Sequence, residues 1–188
     1  MIRPRAYLAG PQIFRSDAHE HDRELKRLCL HYGIEGISAL STEISPPELP
    51  AGTPDDDRER VLGAEWARRI FASNVVLIGT CDVVIANMEP FRGPSMDVGT
   101  AWEMGLAHAL ALPVYGYSRD TRALAERVPY RLVSQTGGLV SRDDGMDIEN
   151  FGLVENLMIA CSVEGIWPDA EAAIMAVAGR MQTADLAP

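Results

Sequence analysis

The sequence predicts an α/β fold in which helices cover both faces of a parallel sheet. Short runs of β-type residues alternate with helical patterns along nearly the whole chain, and this alternation is typical of parallel strands joined by crossover helices. The segment DVVIANM, residues 82–88, is almost continuously apolar, as expected of a strand that is buried on both faces. No internal repeat or low-complexity segment divides the chain, so we expect a single domain over residues 1–188.

The first half of the chain predicts two strands, two helices and a long loop. RAYLAGP predicts a strand that ends in a turn, and Ser16 or Asp17 is placed to cap a helix that continues to about His31. IEGIS predicts a short second strand. A proline-rich loop is expected over residues 46–57, followed by a helix that passes through Trp66.

The second half predicts the remaining three strands. DVVIANM is the third strand, TAWEMGLAHAL the helix after it and PVYGY the fourth strand. Residues 119–150 contain the breakers TGG and RDDG and predict a loop. FGLVENLMIACS has helical spacing, VEGIW predicts the fifth strand, and Pro168 opens a terminal helix to about Met181.

The expected ligand site follows from the strand order. If the order is 2-1-3-4-5, a ligand lies where the order reverses, between the carboxyl ends of the first and third strands. Those ends are AGPQIF and EPFRG, in which Gly10 and Gly93 either allow a close backbone approach to a ligand or are ordinary turn glycines. The dinucleotide pattern GxGxxG and the Walker pattern are both absent from the sequence, so neither dinucleotide binding nor phosphoryl transfer is indicated.

Composition argues against several classes of function. The net charge is -10 and Lys26 is the only lysine, so the clustered cations of a nucleic-acid surface are missing. No apolar run approaches the roughly 20 residues that span a bilayer, and the chain turns at Gly10 before a signal-peptide core could form. Cys29, Cys81 and Cys161 contain no CxxC pair, which indicates reduced thiols rather than a disulfide framework or a zinc site. We therefore expect a soluble cytoplasmic protein with no nucleic-acid or membrane partner.

Glu103 is a carboxylate within an apolar helical segment. An ionised glutamate is costly to bury unless it is paired, hydrogen-bonded or used in chemistry. Glu103 could instead be exposed at a gap in the apolar stripe, but Ala107 and Leu110 lie on its own helical face and favour a functional role. Asp97, six residues earlier, could cap this helix or turn its carboxylate toward the same cleft.

Paired acidic groups of this kind suit displacement at the anomeric carbon of a sugar. The transition state of that reaction has oxocarbenium character, and a carboxylate nucleophile forms a covalent glycosyl-enzyme that water or another acceptor resolves. We expect this chemistry to need no metal and no other cofactor. No serine or cysteine lies in a recognisable nucleophile elbow, so acyl transfer is not indicated.

Four segments resemble the nucleoside 2-deoxyribosyltransferase family. They are YLAGPQIF (Tyr7–Phe14), CDVVIANMEPFRG (Cys81–Gly93), DVGTAWEMG (Asp97–Gly105) and ENLMI (Glu155–Ile159). YLAGP alone also opens related nucleotide-cleaving enzymes. The resemblance implies a flavodoxin-like, and thus Rossmann-like, doubly wound five-stranded parallel sheet. It also implies transfer of 2-deoxyribose from one nucleobase to another through a glutamyl intermediate.

The resemblance implies roles for individual residues. Glu103 would be the nucleophile at C1′ and Tyr7 would orient its carboxylate. Asp97 would bind the deoxyribose hydroxyls or act near the departing base, and Phe14 would stack on the base. A further set of residues would contribute to substrate binding: Gly10, Gln12, Asn74, Arg92 and Gly93.

The resemblance further implies an oligomer. Asn156 and Met158 match a segment that the family contributes from a neighbouring subunit, with the asparagine reaching the sugar 5′-hydroxyl, so we expect a homo-oligomer, a dimer or larger. Asn74 occupies a position where some family members have an aspartate that handles the base, and an amide hydrogen-bonds a base without supplying a proton as a carboxylic acid does.

The expected partners are a 2′-deoxynucleoside and a free nucleobase. Two alternatives remain open on the sequence. One is an N-glycosidase that acts on 2′-deoxynucleosides or deoxynucleotides with water as the acceptor. The other is a nucleotide-sensing module that binds at the same point without turnover.

Overall fold

Strands and helices alternate along most of the chain in the computed structural model, which describes residues 3–45, 47–48, 55–132 and 138–184. In chain order the elements are β1 (Arg5–Ala9), α1 (Ala18–His31), β2 (Glu35–Ile37), α2 (Asp55–Gly79), β3 (Val83–Asn87), α3 (Val98–Ala109), β4 (Val114–Tyr117), α4 (Leu124–Arg127), β5 (Tyr130–Leu132), β6 (Leu139–Ser141), α5 (Leu157–Ala160), β7 (Gly165–Trp167) and α6 (Ala170–Ala184). Short 3-10 turns follow β1 at Pro11–Phe14 and β2 at Ala39–Ser41.

The central sheet has five parallel strands in the order β2-β1-β3-β4-β7. The register pairs Tyr7 of β1 with Val84 of β3, and Val84 in turn with Val114 of β4. The predicted order 2-1-3-4-5 is therefore confirmed, with β7 as the fifth strand, and the fold is flavodoxin-like. The order reverses between β1 and β3, which puts the switch point at the carboxyl ends of these two strands.

Helices cover both faces of the sheet because successive strand residues point to opposite sides. On one face the strands pack against α1 and α6 through a cluster that includes Ala6, Leu8, Val83, Ile85, Cys29, Ile174 and Val177. On the other face they pack against α2 and α3 through a second cluster that includes Tyr7, Val84, Ala86, Val114, Ile78, Met104 and Ala107. Tyr7 and the helix that carries Glu103 thus belong to the same face of the sheet.

The first half of the chain differs from the prediction at two helix starts. Asp17 precedes α1, but its side chain makes no capping bond because both carboxylate oxygens accept hydrogen bonds from Arg15, at 2.7 and 2.8 Å. The second helix begins at Asp55, inside the predicted loop over residues 46–57. Residues 46 and 49–54 of that loop lie outside the described residues. No helix in the described ranges is long and apolar enough to cross a membrane.

The region from 119 to 150 is more regular than predicted. It contains helix α4 and an antiparallel pair of strands, in which Tyr130 of β5 lies opposite Ser141 of β6. Residues 133–137, between the two strands, lie outside the described residues. The breakers TGG and RDDG interrupt this region, which is why the pattern predicted a loop.

The predicted helix over FGLVENLMIACS is wrong except for one turn. Only α5 is helical, and Gly152 before it has a left-handed φ of 71°. The carbonyls of Leu153 and Val154 accept hydrogen bonds from the backbone of Leu124 and the side chain of Arg127. Because α4 uses these two carbonyls, they are not available to an α-helix.

Candidate active site

A cavity of about 370 Å³ lies at the carboxyl end of β1, beside the first turns of α3. This is the predicted switch point. The lining residues are Tyr7, Leu8, Gly10, Ile13, Phe14, Ala39, Asn74, Arg92, Asp97, Val98, Gly99, Thr100 and Glu103. The fold therefore brings together the three residues predicted to be catalytic and several of those predicted to bind substrate.

Glu103 is held by a buried tyrosine. The Tyr7 hydroxyl donates a hydrogen bond of 2.6 Å to Glu103 Oε1, which joins strand β1 to helix α3. Glu103 is half-buried, and the burial of its carboxyl raises the pKa to about 7; the Tyr7 hydrogen bond acts to lower this pKa, and the negative charge of Asp97 acts to raise it. Burial and the nearby Glu103 carboxylate also raise the pKa of Tyr7, so the phenol remains a donor. A carboxylate that ionises near neutral pH is suited to act as a nucleophile or a base.

Asp97 combines both functions that the sequence left open. Its Oδ2 accepts hydrogen bonds from Thr100 N and Thr100 Oγ1, each at 2.9 Å, and so caps the first turn of α3. Asp97 also lines the cavity with Glu103. The residue therefore fixes the start of the helix that carries Glu103 while its carboxylate borders the same space.

One wall of the cavity is aromatic and cationic. The rings of Phe14 and Phe91 stack with their centroids 5.6 Å apart. The guanidinium carbon of Arg92 lies 5.1 Å from the Phe14 centroid and 4.6 Å from that of Phe91. The sequence predicted Phe14 and Arg92 as site residues but did not indicate Phe91, which does not line the cavity itself but stacks on Phe14. Such a wall presents a flat apolar surface to a planar ligand.

Asn74 lies between this cavity and an apolar pocket. The neighbouring pocket, of about 300 Å³, is lined by Asn74 and Glu103 together with Phe71, Gly99 and Trp102. The Oδ1 atom of Asn74 is buried and has no hydrogen-bond partner among the described residues. An unsatisfied buried acceptor is costly, so this atom is suited to a donor supplied by a ligand.

The two predicted glycines differ in their surroundings. A Cβ atom at Gly10 would lie 2.1 Å from Gln12 Oε1 and 2.7 Å from the Cβ of Asn87, so only glycine fits between the turn and β3. Gln12 itself is buried and does not line the cavity, and its Oε1 has no partner among the described residues. A Cβ atom at Gly93 would meet no atom within 4 Å, and Gly93 does not line the cavity, which fits an ordinary turn glycine.

Asn156 and Met158 do not line the cavity of their own chain. Asn156 caps α5, with Oδ1 accepting from Met158 N at 3.0 Å and Nδ2 donating to Glu149 Oε2 at 3.0 Å. Met158 is 74% exposed. Their predicted role concerns the site of a neighbouring subunit and stays a prediction.

A larger cavity, of about 760 Å³, lies against β3, β4 and the starts of α1 and α6. Its guanidinium groups at Arg15 and Arg122 are already paired with Asp17 and Asp120. None of the residues predicted to be catalytic lines it, and the smaller cavity that contains Glu103 is therefore the candidate active site. The described ranges contain no group of three or more His, Cys, Asp or Glu side chains that could hold a metal ion.

Known proteins are similar to this chain in sequence or in fold. An uncharacterized protein of Schizosaccharomyces pombe is 30% identical over 168 residues, which cover 82% of this chain and 74% of that protein. The 2-deoxyribosyltransferase of Leishmania mexicana has a similar structure, with a TM-score of 0.71 and 25% identity, over 94% of this chain and 97% of that chain. The 2-deoxyribosyltransferase of Bacillus psychrosaccharolyticus shares the fold, with a TM-score of 0.51 and 20% identity, over 88% of this chain and 87% of that chain.

The family model for nucleoside 2-deoxyribosyltransferase matches residues 6–158. Together with the similar structures, this match indicates an enzyme of the deoxyribosyltransferase type with nucleoside substrates. The matched range includes every residue predicted for the site, from Tyr7 to Met158. The chain belongs to the nucleoside 2-deoxyribosyltransferase family.

Proposed function

We propose that this protein transfers 2-deoxyribose between nucleobases through a covalent intermediate on Glu103. The observation that carries the proposal is the hydrogen bond of 2.6 Å from Tyr7 to Glu103 Oε1 at the cavity. This bond holds one carboxylate oxygen, while the described residues donate no hydrogen bond to Oε2. A carboxylate that is oriented at one oxygen and free at the other is suited to attack a carbon atom.

The proposed reaction has two displacements at C1′ of the sugar. In the first, Glu103 Oε2 forms a bond to C1′ while the bond from C1′ to the base nitrogen breaks, and its electron pair leaves with the base, which then takes up a proton. In the second, a nitrogen of the incoming base gives up its proton and bonds to C1′, and the Glu103 carboxylate departs. Each displacement inverts C1′, so the product retains the configuration of the substrate.

The other groups at the cavity support a nucleoside as the ligand. The ring of Phe14, backed by Phe91 and Arg92, is suited to stack on a nucleobase. Asp97 is placed to contact the deoxyribose hydroxyls or the departing base. The free acceptor of Asn74 is suited to an amino group of the base.

We also propose that the sugar lacks a 2′-hydroxyl and that the site is shared between subunits. Close packing around the 2′ edge of the sugar would exclude a ribose, so ribonucleosides are expected to react poorly. Asn156 and the exposed Met158 would approach the cavity of a neighbouring subunit, with Asn156 near the 5′-hydroxyl of its substrate.

The decisive experiment mixes a 2′-deoxynucleoside with a different free base. We expect the exchanged nucleoside as the product, and with the deoxynucleoside alone a mass increase of the protein by one deoxyribosyl group. Free deoxyribose as the main product would identify an N-glycosidase instead, and no reaction would indicate a binding module. If adenosine reacts as fast as deoxyadenosine, the proposed preference for 2-deoxyribose is wrong. That result would not bear on Glu103 as the nucleophile.

The role of Glu103 is tested by replacing it. Glu103→Ala is expected to abolish exchange and the mass increase while it still binds the nucleoside, because the covalent step loses its nucleophile. Glu24→Ala, on the exposed face of α1, is the matched control and should keep full activity. Near-native exchange by Glu103→Ala would contradict the mechanism.

A further inference from the structure

The buried carboxylate of Glu155 lies outside the cavity but is bonded to the loop that leads into it. Glu155 is only 1% exposed. Its Oε1 accepts hydrogen bonds from Ser95 Oγ at 2.7 Å and from Asn156 N at 3.0 Å, and its Oε2 accepts one from Met96 N at 2.9 Å. Arg127 Nη2 lies 3.5 Å from Oε2, and this arginine is equally buried. A carboxylate is retained in such a place only when its charge and lone pairs are satisfied, as they are here.

Two of the partners of Glu155 belong to the β3–α3 loop, residues 88–97. Ser95 and Met96 directly precede Asp97, the cap of the helix that carries Glu103. The carbonyl of Ser95 also accepts a hydrogen bond of 2.9 Å from Phe91 N, which closes the turn between them. Both ends of this turn are therefore connected to the carboxylate through Ser95.

The turn held in this way forms the aromatic wall of the cavity. It carries Arg92, which lines the cavity, and Phe91, and both contact the ring of Phe14. Arg92 has a left-handed φ of 56°, a conformation that is costly for a residue other than glycine and persists only where surrounding contacts enforce it. The hydrogen bonds from the β3–α3 loop to Glu155 are contacts of this kind.

We propose that Glu155 is a positioning residue for the candidate active site. Its carboxylate fixes the β3–α3 loop and thereby sets the positions of Phe91, Arg92 and Asp97 around the substrate. Arg127, on α4, contributes the opposite charge, with its Nη2 atom 3.5 Å from Glu155 Oε2. This proposal rests on the proposed function of the cavity, but the anchoring of the loop is measurable without any catalysis.

Two variants distinguish the hydrogen bonding of Glu155 to the β3–α3 loop from its ion pair with Arg127. Ser95→Ala removes one hydrogen bond to Glu155 and leaves its pair with Arg127 in place. Glu155→Gln loses the charge and turns one acceptor into a donor, and because it leaves a buried guanidinium uncompensated it is combined with Arg127→Met. The control is Asp22→Asn, which breaks a partly buried ion pair, with Lys26 at 2.6 Å, on a helix whose residues do not line the cavity.

The first measurement is amide hydrogen exchange of residues 91–97 in the protein without substrate. We expect faster exchange in Ser95→Ala and in the double variant, and unchanged exchange in Asp22→Asn, with thermal unfolding used to verify that all variants are folded. The second measurement is the kinetics of base exchange. We expect KM for the deoxynucleoside to rise and kcat/KM to fall about tenfold or more in the two loop variants, because small displacements of binding groups reduce turnover steeply.

Each result has a definite meaning. Unchanged hydrogen exchange of the loop in a folded double variant would overturn the proposal, and so would faster exchange with wild-type KM and kcat. A wild-type protein without transferase or hydrolase activity would refute the proposed function instead, while hydrogen exchange would still decide whether Glu155 anchors the loop. A similar loss of kcat/KM in Asp22→Asn would show that the loss in the two loop variants results from general destabilisation. It would overturn the proposed positioning role of Glu155.

Discussion

Two neighbours influence the pKa of Glu103 in opposite directions. The hydrogen bond from Tyr7 stabilises the ionised carboxylate, whereas the charge of Asp97 destabilises it, and burial, the largest effect, brings the pKa to about 7. A nucleophilic carboxylate must be ionised to attack C1′. The proposed activity is therefore coupled to the protonation of a single side chain near neutral pH.

We expect kcat/KM to rise with pH through a midpoint near 7, because Glu103 is protonated and unreactive below it. Tyr7→Phe removes the bond that lowers this pKa and should move the midpoint to higher pH. Asp97→Asn removes the charge that raises the pKa and should move the midpoint to lower pH, while an asparagine still caps α3. The measurement is the pH profile of kcat/KM for the three proteins. Shifts in the same direction for both variants would contradict this electrostatic account.

Individual site residues differed in how visible they were in the sequence. Glu103 was found because a charge in an apolar helix is unusual and must be explained. Phe91 was missed because its partner, Phe14, lies in another segment of the chain, and no local pattern reveals a contact between the two. Glu155 was missed as a functional candidate because its burial results from α4 and the β3–α3 loop together.

Among the elements, β1 and the 3-10 turn after it are joined at Gly10, where the backbone lies close to β3. Gly10→Ala would place a Cβ atom 2.1 Å from Gln12 Oε1 and 2.7 Å from the Cβ of Asn87. We expect the turn that carries Phe14 to shift, with a loss of about 1–3 kcal/mol in the free energy of unfolding and a higher KM.

Chemical unfolding measures the free energy of unfolding of Gly10→Ala, and kinetics measure its KM. Gly63→Ala is the control variant. A Cβ atom at Gly63, within α2, would meet no atom within 4 Å, so this variant should be stabilised by up to about 1 kcal/mol through its better helix propensity. A Gly10→Ala protein as stable as the wild type would show that the turn accommodates a side chain.

The strands of the central sheet were predicted well, whereas α4, β5 and β6 were not. The five sheet strands and the helices α1 and α3 follow from apolar runs and helical spacing, because these elements bury one continuous face or two. The segment before α5 has helical spacing, but its carbonyls accept hydrogen bonds from α4. Tertiary hydrogen bonds of this kind override the local hydrophobic periodicity, and no local sequence pattern predicts them.

At the scale of the whole molecule, the proposed sharing of sites between subunits predicts complementation. Glu103→Ala and Asn156→Ala should each be nearly inactive, since each lacks one residue of every site. After equal amounts are mixed and subunits exchange, about a quarter of the sites should combine an intact Glu103 with an intact Asn156. Recovery of up to that fraction of wild-type activity is the expected result. Continued inactivity after verified exchange, or a fully active monomer in sedimentation, would exclude the shared site.

The desolvated Glu103 also makes the folded protein less stable than it could be. Its pKa is raised on folding, from 4.5 to about 7, so the folded state holds its proton more tightly than the unfolded state between these values. Stability from this group is complete below about pH 4.5 and is lost as the pH rises through 7, and because Glu103 is only partly buried, screening by solvent keeps the cost above that pH smaller than the full shift in pKa would give.

Replacing the carboxylate by a neutral amide should recover much of that free energy. We expect Glu103→Gln, although inactive, to unfold at a higher temperature than the wild type at about pH 8, and the advantage to be roughly halved at about pH 5.5. Glu24→Gln, on an exposed face, should change the unfolding temperature little at either pH. Glu103 would then be a residue that is kept for its reactivity although it lowers the stability of the folded protein. The substitution that abolishes catalysis would raise the thermal stability.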